Sequence, residues 1–363
     1  MHLDIMQVTL PYPENINEVD KVLFDDILNY KVTTPKIKRL RNVFVSYEGL
    51  VLNHFVLNKR CAYNLIGNRD INFYWKYWKL ILEQYLVCRF GKSLLSKRFS
   101  VKKKYTIVHT KWFNYGFWMN DAIHRCILIE EFNLKENITI LLPEIYLQNH
   151  FVKETLSIFN FDIEVIPRDT HCFVSDFILP ETREYTAFFD QPSIKKIRDK
   201  FVPIALEKTT ITCFPNKIYL SRKERGVRSL VNESEVEELL ESLGFTVLSF
   251  DNLSVWDQIA YMYHCTWFVS NHGAGFTNCM FMQSNGKVLE FLEYDFAHYG
   301  NPFPHWRLAS LSSLNYFYLF GESKETQYIT FVKNSRTTSE KRMGMVNRSI
   351  KIDIELLNKI VND

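Results

Sequence analysis

The first twenty residues, "MHLDIMQVTLPYPENINEVD", lack the basic start and apolar run of a signal peptide and carry acids and prolines instead. The longest uncharged window, 258–286, has Asn, His and Gly at its middle, which suits a buried α/β core and excludes a membrane span. No Cys-x-x-Cys pair occurs. The seven cysteines are an odd number and widely spaced, as for buried thiols in a reducing compartment. These absences predict a cytoplasmic protein. A formal charge of +3 is too small to argue for nucleic acid as a partner. The sequence also lacks Asp-x-Asp, the nearest approach being "DIE" at Asp162–Glu164 inside an expected strand. It has neither a Gly-x-x-x-x-Gly-Lys-Ser/Thr loop nor Gly-x-Gly-x-x-Gly after a first strand, which weakens kinase and dehydrogenase readings.

What is present is the material of two α/β domains. A length of 363 residues, at about 150 per domain, suggests two, and 47% hydrophobic residues can fill real cores. Residues 41–57 alternate and read as strands, and "INFYWKYWKLILEQYLVC" reads as an amphipathic helix with Asn72, Lys76, Lys79 and Glu83 on one stripe. Residues 89–104 hold seven bases and no acid. From "YTIVHT" to "CFVSDFIL" strands and helices alternate as βαβαβ, predicting a parallel sheet. A second series begins at "NKIYLSR" and ends at "KVLEFL". The expected division is an acceptor-side domain over 1–200, a Rossmann-like domain over 201–340 and a helical tail over 341–363.

The stretch "WFVSNHGAGFTNCMF" carries the most chemistry. Gly permits φ > 0 and close approach to the backbone, and a strand, a small-residue turn and a helix together form an anion site. Three other features fall at strand ends or helix starts of the same half. "YLSRKERGVR" supplies Ser221, Arg222, Lys223, Arg225 and Arg228, whose arginines match phosphate oxygens with a bidentate fork. Asn278 stands one turn into the expected helix, and Glu290 ends the strand "KVLE", where an acceptor-only side chain suits ribose hydroxyls. A shared diphosphate site explains all four. Held by Arg and helix N–H groups, it requires no metal.

The order Ser-Arg, acidic helix, Gln258, His-Gly-Ala-Gly, Asn278, Glu290 over Lys217–Leu319 resembles the C-terminal domain of glycosyltransferase family 61. That family includes xylosyl- and N-acetylglucosaminyl-transferases and capsular polysaccharide biosynthesis proteins. The resemblance implies a GT-B-like α/β fold, with two Rossmann-like domains facing each other across a cleft. It also implies an inverting, metal-independent transferase with no cofactor beyond a nucleotide-sugar donor, a UDP-sugar being favoured. The implied donor contacts are Ser221, Arg222, Arg225, Gln258, His272, Gly273, Ala274, Gly275, Asn278 and Glu290.

In the first half, "WFNYGFWMNDAIHR" resembles that family's N-terminal motif. The correspondence assigns Asn114, Tyr115 and Trp118 to the acceptor, a glycan or glycolipid, and places Asp121 and Arg125 on the motif. Phe117 stands where His is common and His124 where Pro is common. Inverting transfer needs a general base near the acceptor hydroxyl. Asp121 is the candidate, with His124 and His109 in reserve, although Asp121 also suits a helix-start charge paired with Arg125 at i+4. Trp118 suits either a sugar face or the core.

The basic run after the Trp75/Trp78 helix is compatible with peripheral contact to an anionic membrane. Two other classes stay open: a non-catalytic nucleotide- or glycan-binding protein of the same fold, and a Cys–His hydrolase using Cys279 and His272.

Overall fold

Uninterrupted buried runs set the two sheets. All six residues of Ile138–Pro143 and all five of Trp267–Asn271 are buried, as in parallel strands covered on both faces. In the computed structural model the described residues are 5–58, 61, 71–90, 96–99, 103–110, 112–132, 138–182, 189–223, 228–294, 303–323 and 348–362. They divide into two compact units, Met1–Gln7 with Lys31–Ile197, and Val8–Tyr30 with Arg198–Asp363. The fold is mixed α/β in both.

A two-stranded ribbon, β1 (Ile5–Thr9) and β2 (Asn29–Thr33), flanks the short helix α1 (Lys21–Asp25). The first unit then begins with the antiparallel strands β3 (Lys36–Val45), β4 (Val51–Asn53) and β5 (Val56–Leu57). Helix α2 (Ile71–Phe90) is followed by β6 (Ser96–Phe99) and β7 (Lys104–Thr106). Next comes a composite helix: α3 (Tyr115–Phe117), a π-helical turn (Trp118–Ala122) and α4 (Ile123–Glu131). Strand β8 (Ile138–Pro143), helix α5 (His150–Leu156) and strands β9 (Asp162–Ile166) and β10 (His171–Glu181) complete the sheet. Its order is β5-β4-β3-β10-β7-β8-β9, with β6 also on β10. The expected parallel βαβαβ series is there, as β7, β8 and β9 run parallel with β10 beside β7.

The long helix α6 (Gln191–Lys208) leads to the second sheet, made of β11 (Lys217–Leu220), β12 (Thr246–Leu248), β13 (Trp267–Asn271), β14 (Lys287–Glu293), β15 (Asn315–Ser323) and β16 (Ile350–Lys351). Its helices are α7 (Glu233–Ser242), α8 (Val255–His264), α9 (Pro304–Leu311) and α10 (Ile354–Asn362). Gly244 closes α7 with φ +84°, and Phe245 N–H reaches back to Leu240 O at 2.9 Å. That is the αL stop which the sequence "SLGF" predicts.

Strand order is β12-β11-β13-β14-β15-β16. The first five strands are parallel and β16 is an antiparallel edge. Numbered from β11, the parallel part runs 2-1-3-4-5, which reverses direction between β11 and β13. Ligands of such sheets bind beyond the strand carboxyl ends at that reversal.

Two segments complete the second unit from outside the expected 201–340. Residues 8–30 pack there although they precede the first sheet. Asn15 exchanges hydrogen bonds with the backbone of Tyr318 (2.7 and 3.1 Å), Tyr318 Oη donates to Asp20 at 2.6 Å, and Phe24 stacks on Phe303 at 4.2 Å. At the other end, Asn232 exchanges two hydrogen bonds with Ile352, and Leu357 and Val361 of α10 join the core with Val236 and Leu240. Among the described residues no helix is long and apolar enough to cross a membrane.

Candidate functional site

The reversal point supplies two strand ends. β11 stops at Leu220 and is followed by Ser221 and Arg222; β13 stops at Asn271 and is followed by His272 and Gly273. Parallel register sets Leu220 beside Ser270, so both strands release their chains at the same level. Ser270 Oγ ties them by donating to Leu220 O at 2.9 Å.

Gly273 is required for space. Its φ of 168° is extended backbone that any residue adopts, and neither Gly273 nor Gly275 is left-handed. The expected role in φ > 0 is therefore corrected. A Cβ on Gly273 would lie 2.0 Å from Arg222 Nη1 and 2.9 Å from its Cζ. A Cβ on Gly275 would lie 2.9 Å from Leu220 Cδ2. The guanidinium thus rests on bare backbone just before a helix start. That helix, Ala274–Phe281, is 3-10 rather than α, and Phe276–Phe281 are buried. Gly273 O receives Phe276 N–H at 3.0 Å, while the first N–H groups of such a helix have no partner within it.

A second arginine converges. Arg228 is held by Asn271, whose Nδ2 donates to Arg228 O at 2.8 Å. Burial first, and then the charge of Arg222, lower the Arg228 pKa to about 10, with Glu290 acting in the opposite direction. Two guanidiniums that repel each other in a desolvated place are stabilised by an anion between or beside them. Arg228, Asn271, His272, Phe291, Glu293, Arg348 and Ile350 line a small pocket. Arg348 is paired with Glu293 at 2.7 Å, and Ser323 bridges both.

Glu290 is fully buried. Its Oε1 accepts from His272 Nδ1 at 2.6 Å and His305 Nδ1 at 2.5 Å, and its Oε2 from Tyr316 Oη at 2.6 Å. Burial alone raises its pKa, but His305 and His272 outweigh that and hold the carboxyl well below the usual range. An ionised carboxylate only accepts, so both rings donate from Nδ1 and keep Nε2 for other partners. Desolvation lowers His272 to about 4 despite Glu290, helped by His305 and Arg228, and leaves the ring neutral near pH 7. His272, Glu290 and His305 are also of metal-ligating type. Their N···O separations of 2.5 and 2.6 Å are hydrogen bonds; ligands about 2.0 Å from a tetrahedral zinc stand farther apart.

The expected donor residues that are described can now be placed. Arg222, His272, Gly273, Ala274 and Gly275 meet at the strand ends. Ser221 Oγ instead donates to Glu233 at 2.7 Å, beside Tyr219 Oη, which donates to the same oxygen. Gln258 donates to Leu253 O at 3.0 Å and accepts from Asn278 Nδ2 at 3.1 Å, so this pair braces the 3-10 helix against α8. Glu290 faces two histidines and a tyrosine, where a ribose contact was expected. Arg225 lies outside the described residues. Cys279 is fully buried and its thiol is pushed up, mainly by desolvation, which removes the Cys–His hydrolase. His305, Tyr316 and Arg348 were not singled out from sequence. They come from separate segments, and only the "PFPHW" run, with Pro304 starting α9, marks one of them.

In the first unit Asn114 caps α3, accepting from Phe117 N–H at 3.0 Å. Tyr115 meets Phe151 edge-on at 5.4 Å. Trp118 is buried and its Nε1 donates to Thr155 at 2.8 Å, so it belongs to the core and not to a sugar platform. Asp121 and His124 are both 2% exposed, on and just after the π turn. Arg125 Nη1 donates to His109 O at 2.9 Å, closing the segment after β7. Burial and that guanidinium lower His109 to about 3, too weak for a base near neutral pH.

No curated protein matches the chain. Residues 115–289, from the start of α3 into β14, match the family model described as Glycosyltransferase 61. Family membership carries transferase activity with donor and acceptor substrates in general. The match takes in 115–289 of the 363 residues and supports membership of glycosyltransferase family 61.

Proposed function

We propose that the protein is an inverting, metal-independent glycosyltransferase with a GT-B arrangement. It moves a sugar from a nucleoside-diphosphate sugar, a UDP-sugar being favoured, to a hydroxyl of a glycan or glycolipid in surface polysaccharide or glycoconjugate synthesis. One observation carries the reading: Arg222 lies on Gly273 at the β11/β13 reversal point, electrostatically coupled to Arg228. As the glycosidic bond breaks, charge develops on the diphosphate. Arg222 and Arg228 offer bidentate donors to it, and Ala274 and Gly275 offer backbone N–H groups in a fixed place. His272, neutral near pH 7 and anchored on Glu290 through Nδ1–H, becomes a further donor only once its Nε2 takes up a proton.

The general base is assigned to Asp121, with His124 as reserve. Asp121 sits in the π turn, where the helix departs from α geometry, and His124 two residues after it; π turns concentrate at functional sites. The test is product stereochemistry. Incubation with α-linked UDP-sugars and a panel of glycan acceptors in EDTA, followed by NMR of the anomeric proton, is expected to show a β-linked product. Retention of the α configuration, or transfer only after a divalent metal is restored, contradicts the reading.

A further inference from the structure

Helix α2 buries Ile81 and Cys88 against the first unit, as an amphipathic helix should. Its opposite face carries Lys79 and Glu83, and apolar side chains beside them. Trp75, Leu86, Val87 and Phe90 fall within an arc of about 120° at 100° per residue. They are 55%, 41%, 61% and 78% exposed. The tip between β4 and β5 extends the patch with Phe55 (56%) and Val56 (62%). Trp78 Nε1 donates to Phe55 O at 2.9 Å, and Phe55 packs on Tyr85 at 5.4 Å, which fixes the tip to the helix. Large apolar side chains exposed in such number on one side, interrupted only by the Lys79–Glu83 pair, mark an interaction surface.

The rim is basic. Arg89 ends α2, and Arg98 lies 4.7 Å over Phe173, whose ring is 5.8 Å from Tyr85 of α2. Both arginines are exposed. Among the described residues neither forms an ion pair, whereas the one acid on this face, Glu83, is matched by Lys79 at 3.9 Å. In sequence, 89–104 has seven bases and no acid.

We infer that this face docks on an anionic lipid bilayer. Phe90, Val87, Trp75 and the 55–56 tip would enter the headgroup boundary, while Arg89 and Arg98 meet lipid phosphates at its edge. Indole and phenyl rings favour that depth, and arginine keeps its charge in the polar layer with its stem in the apolar one. A bilayer of anionic lipid offers both halves of the complement, an apolar layer and a phosphate surface. A second copy of the same basic face offers only the first.

The test is flotation of the full chain with phosphatidylcholine vesicles and with vesicles that also contain phosphatidylglycerol, at low and high salt. The expected result is flotation with the phosphatidylglycerol vesicles at low salt, release at high salt, and none with phosphatidylcholine alone. Val87→Ser/Phe90→Ser and Arg89→Gln/Arg98→Gln should each reduce the bound fraction by about tenfold. All substituted side chains are exposed, so the unfolding midpoint should stay at the wild-type value. Absence of wild-type flotation at low salt overturns the inference, as does flotation of the serine variant at wild-type level. A concentration-dependent dimer that the serine substitutions dissociate, without vesicle binding, overturns it in favour of self-association.

Discussion

Arg222 rests on Gly273 so closely that a methyl group there would stand 2.0 Å from Nη1. Because the glycine is extended, Gly273→Ala leaves the backbone at ease and acts only by displacing the guanidinium. A charge-assisted hydrogen bond is worth about 1.5–3 kcal/mol, so the variant should bind nucleoside diphosphate about ten- to hundredfold more weakly. Titration calorimetry with UDP or GDP measures this. Unchanged affinity would remove Arg222 from the site.

Glu290 holds His272, His305 and Tyr316 from full burial. Glu290→Gln cannot accept from both rings at one charged oxygen, and breaking a buried charged network costs about 3–5 kcal/mol. Tyr316→Phe removes one hydrogen bond and should cost about 1–3 kcal/mol. Urea unfolding ranks the two. Equal small losses would show that the network is not desolvated as described.

His272 and His109 are both lowered by burial, to about 4 and about 3. Each therefore binds a proton more readily unfolded than folded. Their stabilising contribution is complete above the unfolded histidine value of about 6.5 and declines as pH falls, down to about 4 for His272 and about 3 for His109. Across the shared window each adds up to about 1.4 kcal/mol per pH unit to the loss. His272→Gln should flatten the dependence of unfolding free energy between pH 6 and pH 4, provided that the variant folds at pH 7; an unaltered slope contradicts the assigned shift.

Asp121→Asn keeps shape and polarity but removes the base. Transfer should fall by about 10²–10⁴-fold while the UDP-induced thermal shift persists. Retained turnover would move the base to His124.

The strands and helices of both units were legible because their signals are local: buried runs such as "TILL" and "WFVSN", and a stop such as Gly244. The strand ends that carry the proposed site were legible too, since Ser221–Arg222 and His272–Gly273 each follow a strand. Their partners were not. Glu290 at a strand end looks ligand-facing in one dimension, and only packing brings His305 and Tyr316 onto it. Gly273 reads as a conformational glycine until Arg222 is in view. Residues 8–30 carry no period long enough to reveal that Phe24 belongs beside Phe303. In α2 Lys79 and Glu83 of the expected polar stripe are exposed, but the sequence did not reveal that apolar residues share their side.

The most direct measurement is thermal unfolding of the wild type and Arg222→Ala against UDP, GDP, CMP and NAD⁺, with and without EDTA. A ligand binding only the native state adds about 2.7 kcal/mol at a hundredfold excess over its dissociation constant. The account predicts a raised midpoint with UDP or GDP that survives EDTA in the wild type and is lost in Arg222→Ala. A shift with NAD⁺ alone, or a diphosphate shift indifferent to Arg222, would contradict it.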